Sequence, residues 1–367
     1  MLAMKRIQDA GELHGKRVLV RIDVDDAGVN PFPLKALRPT LDYLKRAGAR
    51  TILIGHVGRD AHASAEKLFT ILKKELELRF VPDITGATAH TAINEMQDGE
   101  VVLLENVRQD PRELENSPVF AKELSELADV YVNDAFAVSH RVHASIVGVT
   151  AFLPSYAGFR LQEEVRVLSH ALTPKSPSLF ILSGAKTETK LPLIRKFVAI
   201  YDDVFIGGVP ANNFFKERGF ETGHSVVEDV DISAILTNEK IIVPQDVVVL
   251  CEEERFVKKL EAVSPHDKIV DAGPQTIQAL NEKIMKAHCV VWNGPLGEYE
   301  RGFDTGTKDL AKALAKSPAH TLVGGGDTLS AITELNLEND FSFISTGGGA
   351  MLQFLLDGTL PGIKALA

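Results

Sequence analysis

Basic side chains follow the apolar segments in the first half of the sequence. They occur in "GHVGR" (55–59), in "LLENVR" (103–108) and in "NDAFAVSHRVH" (133–143). The residues concerned are His56, Arg59, Arg108, His140, Arg141 and His143. One guanidinium group can donate two hydrogen bonds at once to a carboxylate or phosphate group. The carboxyl ends of parallel strands meet at one edge of a sheet, so these side chains are expected to lie close together. The pattern predicts a binding site for a small anion.

Glycines take the corresponding places in the second half. "LSGAKTETK" (182–190) puts Gly184 and Ala185 beside Lys186 and Lys190, and "DAGP", "WNGP", "VGGGDT" and "STGGGAM" follow. Glycine lets backbone N–H groups approach phosphates, and a helix N-terminus favours anions. Lysines four residues apart lie one helical turn apart, so both can face one phosphate. We therefore predict a nucleotide site, in which Asp327 is suited to hold Mg²⁺ together with phosphate oxygens.

These glycine turns do not have the spacing of the two common phosphate-binding fingerprints. Neither the P-loop pattern nor the dinucleotide pattern G-x-G-x-x-G occurs in them. The missing dinucleotide pattern disfavours a nicotinamide-dependent dehydrogenase.

Short apolar segments, typical of strands covered on both faces, alternate with amphipathic helical ones. Strands are expected within 16–24, 50–56, 100–106, 129–136, 178–184, 202–208, 240–250, 268–273, 289–295 and 320–326. Repeated strand–helix units predict parallel sheets with right-handed crossovers, and ten such strands are too many for one sheet. The segment 153–172 is expected to form a single helix joining two halves of similar size.

Composition limits the range of functions. The 367 residues have a net charge of −10 and are 45% hydrophobic, which argues against nonspecific nucleic-acid binding. No apolar run reaches membrane-spanning length, residues 1–10 lack the apolar core of a signal peptide, and two cysteines are too few for a disulfide framework. We expect a cytoplasmic protein without nucleic-acid or membrane partners.

Over essentially its full length the chain resembles the phosphoglycerate kinase family. The resemblance rests on the ordered motifs "KRVLVRIDV", "GHVGR", "LLENVR", "DVYVNDAF…HRVHAS", "SGAK…K", "VVWNGP", "VGGGDT" and "FISTGGGA". It implies an α/β fold of two Rossmann-like three-layer domains with parallel sheets, joined by a hinge helix. The implied boundaries are 1–155 for a 3-phosphoglycerate domain, 156–172 for the interdomain helix, 173–346 for a nucleotide-binding domain and 347–367 for a segment that packs back on the first domain.

The resemblance also implies an activity and its residues. The activity is reversible phosphoryl transfer in glycolysis between 1,3-bisphosphoglycerate and ADP, giving 3-phosphoglycerate and ATP. The implied enzyme is a monomer that uses Mg²⁺ with ATP or ADP and closes its domains on the two substrates.

The acid-substrate positions are Asp23, Asp25, His56, Arg59, Arg108 and Arg141. The nucleotide positions are Gly184, Ala185, Lys190, Gly273, Asn293, Glu300, Gly325, Gly326, Asp327 and Thr328, with Asp327 as the metal carboxylate and Glu300 as the ribose contact. The catalytic positions are Lys186, which supports the transferring phosphoryl group, and Gly347, Gly348 and Gly349, whose amides face it.

Two departures from the family pattern fall in the acid-substrate site. Asp25 stands where the pattern has asparagine, and Pro33 stands where it has an arginine that contacts the acid and the transferring group. Arg38 lies five residues after Pro33, roughly 140° round a helix. A like-charge contact at ~4 Å costs on the order of 4 kcal/mol at an effective dielectric near 20, and a missing transition-state arginine costs roughly 10³–10⁵ in rate.

Other departures lie beside the same ligand positions. Gln109 and Asp110 replace Phe and His, Ser183 replaces the first glycine of G-G-A-K, Val209 and Pro210 replace Gly and Met, and Glu298 and Tyr299 replace apolar residues before Glu300.

These observations leave two main hypotheses and a minor one. The first is a divergent but working phosphoglycerate kinase. The second is a nucleotide-binding homologue with weak or lost kinase activity that acts as a regulator or binding partner. The minor alternative is a kinase for another small acid. Cations in the site formed with Arg59 and Arg108 favour the enzyme, whereas an acid-lined site favours the regulator.

Overall fold

The structure is a computed structural model that describes residues 4–24, 32–58 and 60–367. Asp25 and Arg59, two of the expected substrate-binding residues, lie outside the described residues. The chain divides into two compact units, and each is described by itself. Unit 1 comprises Met1–Arg166 and Asp357–Ala367, and unit 2 comprises Val167–Leu356.

Unit 1 is built on a six-stranded sheet in which every pairing is parallel. Its strands are β1 (Arg17–Arg21), β2 (Arg50–Ile54), β3 (Arg79–Val81), β4 (Val101–Leu104), β5 (Val130–Asn133) and β6 (Ser155–Ala157), in the order β3-β4-β2-β1-β5-β6. Its helices are α1 (Phe32–Arg46), α2 (Glu66–Leu72), α3 (Ala87–Asn94) and α4 (Pro118–Glu126). Successive β1 side chains Val18, Leu19 and Val20 are all buried, so helices or loops cover both faces of the sheet.

Helix α5 (Phe159–Ala171) leads from unit 1 into unit 2, which contains two sheets. The larger sheet is parallel and consists of β7 (Ser178–Leu182), β8 (Asp203–Ile206), β9 (Ile241–Ile242), β13 (Cys289–Asn293), β14 (His320–Gly324) and β15 (Phe343–Ile344). Its strand order is β15-β14-β13-β7-β8-β9. The smaller sheet is antiparallel and consists of β10 (Asp246–Cys251), β11 (Glu254–Lys259) and β12 (Lys268–Ala272). Its strand order is β11-β10-β12. The helices of unit 2 are α6 (Leu191–Ile200), α7 (Gly208–Glu217), α8 (Pro274–Ile284), α9 (Thr305–Ala315), α10 (Gly326–Glu334) and α11 (Gly348–Asp357), whose last residue belongs to unit 1. Helix α12 (Pro361–Lys364) lies in unit 1.

The predicted fold class, two parallel-sheet α/β units, is confirmed. Two local predictions are wrong. The segment 240–250 holds two strands, β9 and β10, in different sheets, with Pro244 between them, which has no N–H to donate to a ladder. The segment 153–172 is not a single helix, because β6 occupies Ser155–Ala157 and α5 begins only at Phe159.

Candidate active site

Arg21 ends strand β1 and is buried in unit 1, with 1% of its surface exposed. Its Nε donates to Ser145 Oγ at 3.0 Å, and its Nη1 donates to the carbonyl oxygen of Ile22. Its Nη2 lies 3.3 Å from His56 Nδ1. A buried charge is costly unless it is hydrogen-bonded or paired. The contacts with Ser145, Ile22 and His56 provide this compensation for the Arg21 guanidinium.

His56 follows strand β2 and is also buried. Burial lowers the pKa of this histidine to about 2, and the positive charges of Arg21, Arg108 and Arg141 add to the effect. His56 Nδ1 also lies 3.9 Å from Asp23 Oδ1. The ends of β1 and β2 therefore bring Asp23 and a neutral His56 into a region of concentrated positive charge.

Arg108 and Arg141 reach this region from two loops. Arg108 is buried in the short 3₁₀ helix Val107–Gln109, where its backbone N–H donates to Asn106 Oδ1 at 3.0 Å and its Nη1 donates to the carbonyl oxygen of Gly58. Arg141 Nε lies 3.4 Å from His140 Nε2. Burial lowers the pKa of His143 to about 4, again with help from Arg141, Arg21 and Arg108.

We call Arg21, His56, Arg108, Arg141 and His143 the unit 1 cradle. Four of its members, His56, Arg108, Arg141 and His143, were among the basic residues that predicted an anion site, and the first three were also named as acid-substrate positions. The sequence interpretation missed Arg21, although a charged residue within the apolar segment "RVLVRIDV" is a signal that could have identified it. The cradle is rich in cations, as the enzyme hypothesis requires.

Arg38 does not belong to the cradle. Pro33 lies in the first turn of α1, where proline is tolerated because the N–H groups there have no intrahelical acceptor. Arg38 pairs with Asp42 at 3.3 Å and with Glu75 at 3.8 Å, and it donates to the carbonyl oxygen of Glu75 at 3.2 Å. Its guanidinium is thus held on the surface by two acidic side chains.

Unit 2 contains a cavity of about 510 Å³, which we call the unit 2 cavity. Four of the predicted nucleotide-binding residues line it: Gly184, Ala185, Glu300 and Asp327. Apolar side chains line another part, among them those of Val209, Phe215, Val226, Val247, Ile269 and Leu296. An apolar lining with a few polar groups is typical of small-molecule sites, and this volume lies in their usual range.

Two glycines beside the cavity are required by close packing. Gly184 has a φ of 110°, and a Cβ there would lie 2.9 Å from Lys190 Nζ. Gly294 has a φ of 93°, and a Cβ there would overlap the carbonyl oxygen of Ser183. The turns after β7 and β13 therefore approach each other as no other residue type would allow.

Lys190 is buried beneath Gly184, with 8% of its surface exposed. Burial, opposed by the charge of Glu228 and assisted by that of Lys186, lowers the pKa of Lys190 to about 8. The expected helical turn carrying both lysines is wrong: residues 188–190 form a turn, and α6 begins at Leu191. Lys186 is exposed, yet it lies close enough to Lys190 to influence its pKa.

Asp327 lies in the first turn of α10, after Gly325 with a φ of 112°. Burial raises the pKa of Asp327, and the negative charge of Glu300 adds to the shift. A divalent cation would offset both effects, so this carboxylate fits a metal ligand. Within residues 4–24, 32–58 and 60–367, no group of three or more His, Cys, Asp or Glu side chains could hold a metal, so phosphate oxygens would have to complete the site.

The remaining predicted nucleotide residues do not line the cavity, but several lie at its glycine turns. A Cβ on Gly348, at the start of α11, would lie 3.4 Å from the Cα of Gly325. Asn293 is buried and donates to Met351 Sδ at 3.8 Å. Thr328 is buried in the first turn of α10, and its Oγ1 has no partner among the described residues. Gly273 precedes α8, where a Cβ would overlap the carboxyl group of Asp246.

The sequence profile described as "Phosphoglycerate kinase" matches residues 7–358. The chain belongs to the phosphoglycerate kinase family. Relatives named phosphoglycerate kinase include those of Coprothermobacter proteolyticus, 39% identical over 100% of this chain and 99% of the relative, and of Moorella thermoacetica, 39% identical over 97% of each. Among solved structures, the phosphoglycerate kinase of Coxiella burnetii matches with a TM-score of 0.83 and 34% identity over 99% of this chain and 98% of that one. The Pyrococcus horikoshii enzyme matches with a TM-score of 0.87 and 31% identity over the same shares.

Membership of this family makes the chain a kinase, that is, a phosphotransferase. Nothing in the comparisons favours the regulator hypothesis. No helix among the described residues is long and apolar enough to cross a membrane.

Several departures from the family pattern have structural partners. Asp110 accepts from the backbone and side chain of Arg112, and this side-chain hydrogen bond lowers the pKa of Asp110. Ser183 Oγ donates to the carbonyl oxygen of Pro295 at 2.6 Å. These two substitutions fix local loops, so they do not add unpaired groups to either site.

Three departures lie on the wall of the unit 2 cavity: Val209, Glu298 and Tyr299. Glu298 pairs with Lys268 and with Arg301, and the hydroxyl of Tyr299 donates to Glu334 at 2.7 Å. Both side chains are therefore engaged by neighbours in unit 2. The wall keeps a defined shape although its residue types differ from the family pattern.

Proposed function

We propose that the unit 1 cradle binds 3-phosphoglycerate and that the unit 2 cavity binds ATP or ADP, so that the protein transfers a phosphoryl group reversibly between 1,3-bisphosphoglycerate and ADP in glycolysis. One observation carries the assignment of the acid: Arg21, Arg108 and Arg141 all act electrostatically on the buried His56. A carboxylate and a phosphate on one small molecule need several cations, and planar guanidinium groups bind both in pairs of hydrogen bonds.

In the unit 2 cavity, the base of the nucleotide occupies the apolar part and Glu300 contacts the ribose. The phosphates face the turn at Gly184 and the N-terminus of α10, where backbone N–H groups favour anions. Asp327 would hold Mg²⁺ with the phosphate oxygens, and the metal would neutralise phosphate charge. The burial of Asp327 and its proximity to Glu300 support this role.

The chemistry asked of the remaining residues is positioning and charge neutralisation, since phosphoryl transfer needs little covalent help. Lys186 supports the transferring group, and Lys190 contacts the nucleotide phosphates. The amides of Gly347, Gly348 and Gly349 face the transferred group. Gly348 begins α11, so N–H groups without intrahelical acceptors are available there.

We also propose that the acid-substrate site works without the family arginine replaced by Pro33. The described cradle retains three guanidinium groups, and the departure at Asp110 is paired with Arg112. A cytoplasmic location and a monomeric state remain predictions of the family resemblance.

Calorimetric titration tests the two assignments separately. Wild-type protein is expected to bind 3-phosphoglycerate and ADP, and Arg108→Ala is expected to weaken 3-phosphoglycerate by roughly 10-fold or more, as for loss of a charge-assisted hydrogen bond. The affinity of Arg108→Ala for ADP should not change. Arg195→Ala is a matched control, because Arg195 is exposed and donates to the carbonyl oxygen of Asp231 on unit 2. Unchanged 3-phosphoglycerate binding by Arg108→Ala would refute the assignment of the cradle.

A further inference from the structure

Glu113 is a fully buried carboxylate in the short 3₁₀ helix Pro111–Glu113, with 0% of its surface exposed. One of its oxygens accepts from Ser145 Oγ at 2.6 Å, and the other accepts from the backbone N–H of Ser145 at 2.8 Å. Two donors directed at one carboxyl group favour its ionised form, whereas burial raises the pKa of Glu113. A carboxylate is costly to bury, so its position calls for an explanation beyond packing.

The hydroxyl of Ser145 connects Glu113 to the cradle. It donates to Glu113 Oε1 and accepts from Arg21 Nε at 3.0 Å, so guanidinium, hydroxyl and carboxylate form one chain of hydrogen bonds. Each bond in such a chain polarises the next, and a buried ion pair is favourable only when its geometry is good. Glu113 therefore supplies the counter-charge that holds the Nε edge of Arg21 in one orientation.

Glu113 contacts a second member of the cradle directly. Its Oε1 lies 3.8 Å from Nδ1 of His143. Arg21 and His143 lie on different elements, the end of β1 and the loop after β5, and Glu113 lies near both. Glu113 therefore links two members of the cradle that come from different elements.

We propose that Glu113 is a positioning residue for the acid substrate, acting through Ser145 on Arg21 and directly on His143. This inference rests on the proposal that the cradle binds 3-phosphoglycerate. A small displacement of a cation that orients the substrate lowers activity sharply, because transfer depends on the relative placement of the reacting groups. Without the Glu113 carboxylate, Ser145 Oγ loses its acceptor, so the Nε edge of Arg21 is held less firmly while the contacts of its Nη1 and Nη2 remain.

The test is steady-state kinetics of Glu113→Gln with both substrates varied. The KM for 3-phosphoglycerate is expected to rise about 10-fold, as for loss of a hydrogen bond to a charged group, while the KM for ATP stays unchanged. KM does not depend on the fraction of protein that is folded, so partial unfolding cannot imitate this result. Ser145→Ala should give a rise of similar size, and the double variant should be little worse than either, because both break the same chain.

Glu123→Gln is the matched control. Glu123 binds Arg112 at 2.9 Å through both oxygens and so anchors the same short helix, without touching Arg21 or His143. If Glu123→Gln raises the KM for 3-phosphoglycerate as much as Glu113→Gln does, Glu113 has only a structural role and the inference fails.

Two further outcomes would overturn the inference in different ways. Tighter binding of 3-phosphoglycerate by Glu113→Gln would show that the carboxylate merely reduces the positive charge of the cradle. An unchanged KM would show that Arg21 keeps its orientation without Glu113. Arg108→Ala separates this failure from failure of the proposed function: if Arg108→Ala raises the KM for 3-phosphoglycerate and Glu113→Gln does not, only the inference about Glu113 is lost.

Discussion

Arg21 Nη2 and His56 Nδ1 lie 3.3 Å apart at the carboxyl ends of the neighbouring strands β1 and β2. Because Arg21 carries a positive charge and burial lowers the pKa of His56 to about 2, the histidine is neutral at physiological pH. It can therefore contact the guanidinium without repulsion. This contact joins the two strand ends on which the acid-substrate site is proposed.

Replacing Arg21 tests the importance of that contact. Arg21→Lys keeps the charge but loses the planar donors that reach Ser145 and His56, so the KM for 3-phosphoglycerate is expected to rise roughly 10- to 100-fold. Arg17→Lys is the control at the other end of β1, where Arg17 pairs with Asp129 at 2.8 Å near the surface. Equal kinetic effects of the two substitutions would contradict a specific role for Arg21.

The pKa of Lys190 predicts proton uptake on nucleotide binding. In the free protein this pKa is about 8, well below the usual 10.5, because burial disfavours the ammonium form. Phosphate oxygens favour the ammonium form, so binding raises the pKa, and at about pH 8.5 the complex holds more protons than its components. Titration calorimetry of ADP binding in buffers of different ionisation enthalpy should show this uptake.

The pKa of Lys190 also determines how the affinity for ADP depends on pH. Affinity for ADP should fall as pH rises above about 8, by at most about tenfold per pH unit. Lys190→Arg should abolish both the uptake and the fall, since a guanidinium stays charged throughout this range. Proton uptake that persists in Lys190→Arg would assign it to another group.

The close approach of Gly184 to Lys190 predicts a combined loss of stability and binding. Gly184→Ala is expected to destabilise unit 2 by about 1–3 kcal/mol through its positive φ and to displace the Lys190 side chain, which weakens ADP binding. Gly219→Ala is the matched control, because Gly219 has a φ of 84° but a Cβ there would meet no atom of the described residues within 4 Å. Chemical denaturation and ADP titration of both variants separate strain from displacement, and equal ADP affinities would refute the proposed contact.

Much of the fold follows from sequence patterns, because buried parallel strands are nearly continuous apolar runs with glycine or proline at their ends. The hairpin between β10 and β11 was not predicted, since its turn residues Glu252 and Glu253 adopt φ values of 47° and 69° without the Asn-Gly or Asp-Gly signal. Strand β11 is also largely exposed, so it lacks the apolar run used to identify the others.

The sites were predictable only where a residue type reveals its role. Arginines after strands indicated an anion site, but a single sequence could not show that Arg21 is buried or that Ser145 joins it to Glu113. Such partners depend on contacts between residues far apart in the chain. The contact of Asp110 with Arg112 is local, since the two residues are separated by one position, but the residue types alone did not indicate it.

The metal assignment predicts a selective loss of magnesium dependence. Asp327→Asn is expected to bind ADP with nearly the same affinity with and without Mg²⁺, whereas the wild type should bind more tightly with the metal, because a neutral amide is a weaker ligand than a carboxylate. Asp309→Asn is the control, since the Asp309 side chain is about half exposed and pairs with Lys312 at 3.0 Å. A magnesium effect that survives in Asp327→Asn would place the metal elsewhere.

The central claim is that the acid-substrate site works with Pro33 in place of the family arginine and Asp25 in place of asparagine. The most direct test is a coupled assay of phosphoryl transfer from ATP to 3-phosphoglycerate by the wild type and by a Pro33→Arg, Asp25→Asn double variant. We predict that the wild type turns over at about 1–100 s⁻¹, the usual range of kinases, and Lys35→Ala and Arg38→Ala would then show whether either cation contributes. A wild type that binds Mg²⁺–ADP but is inactive, together with a double variant that gains activity, would contradict the claim.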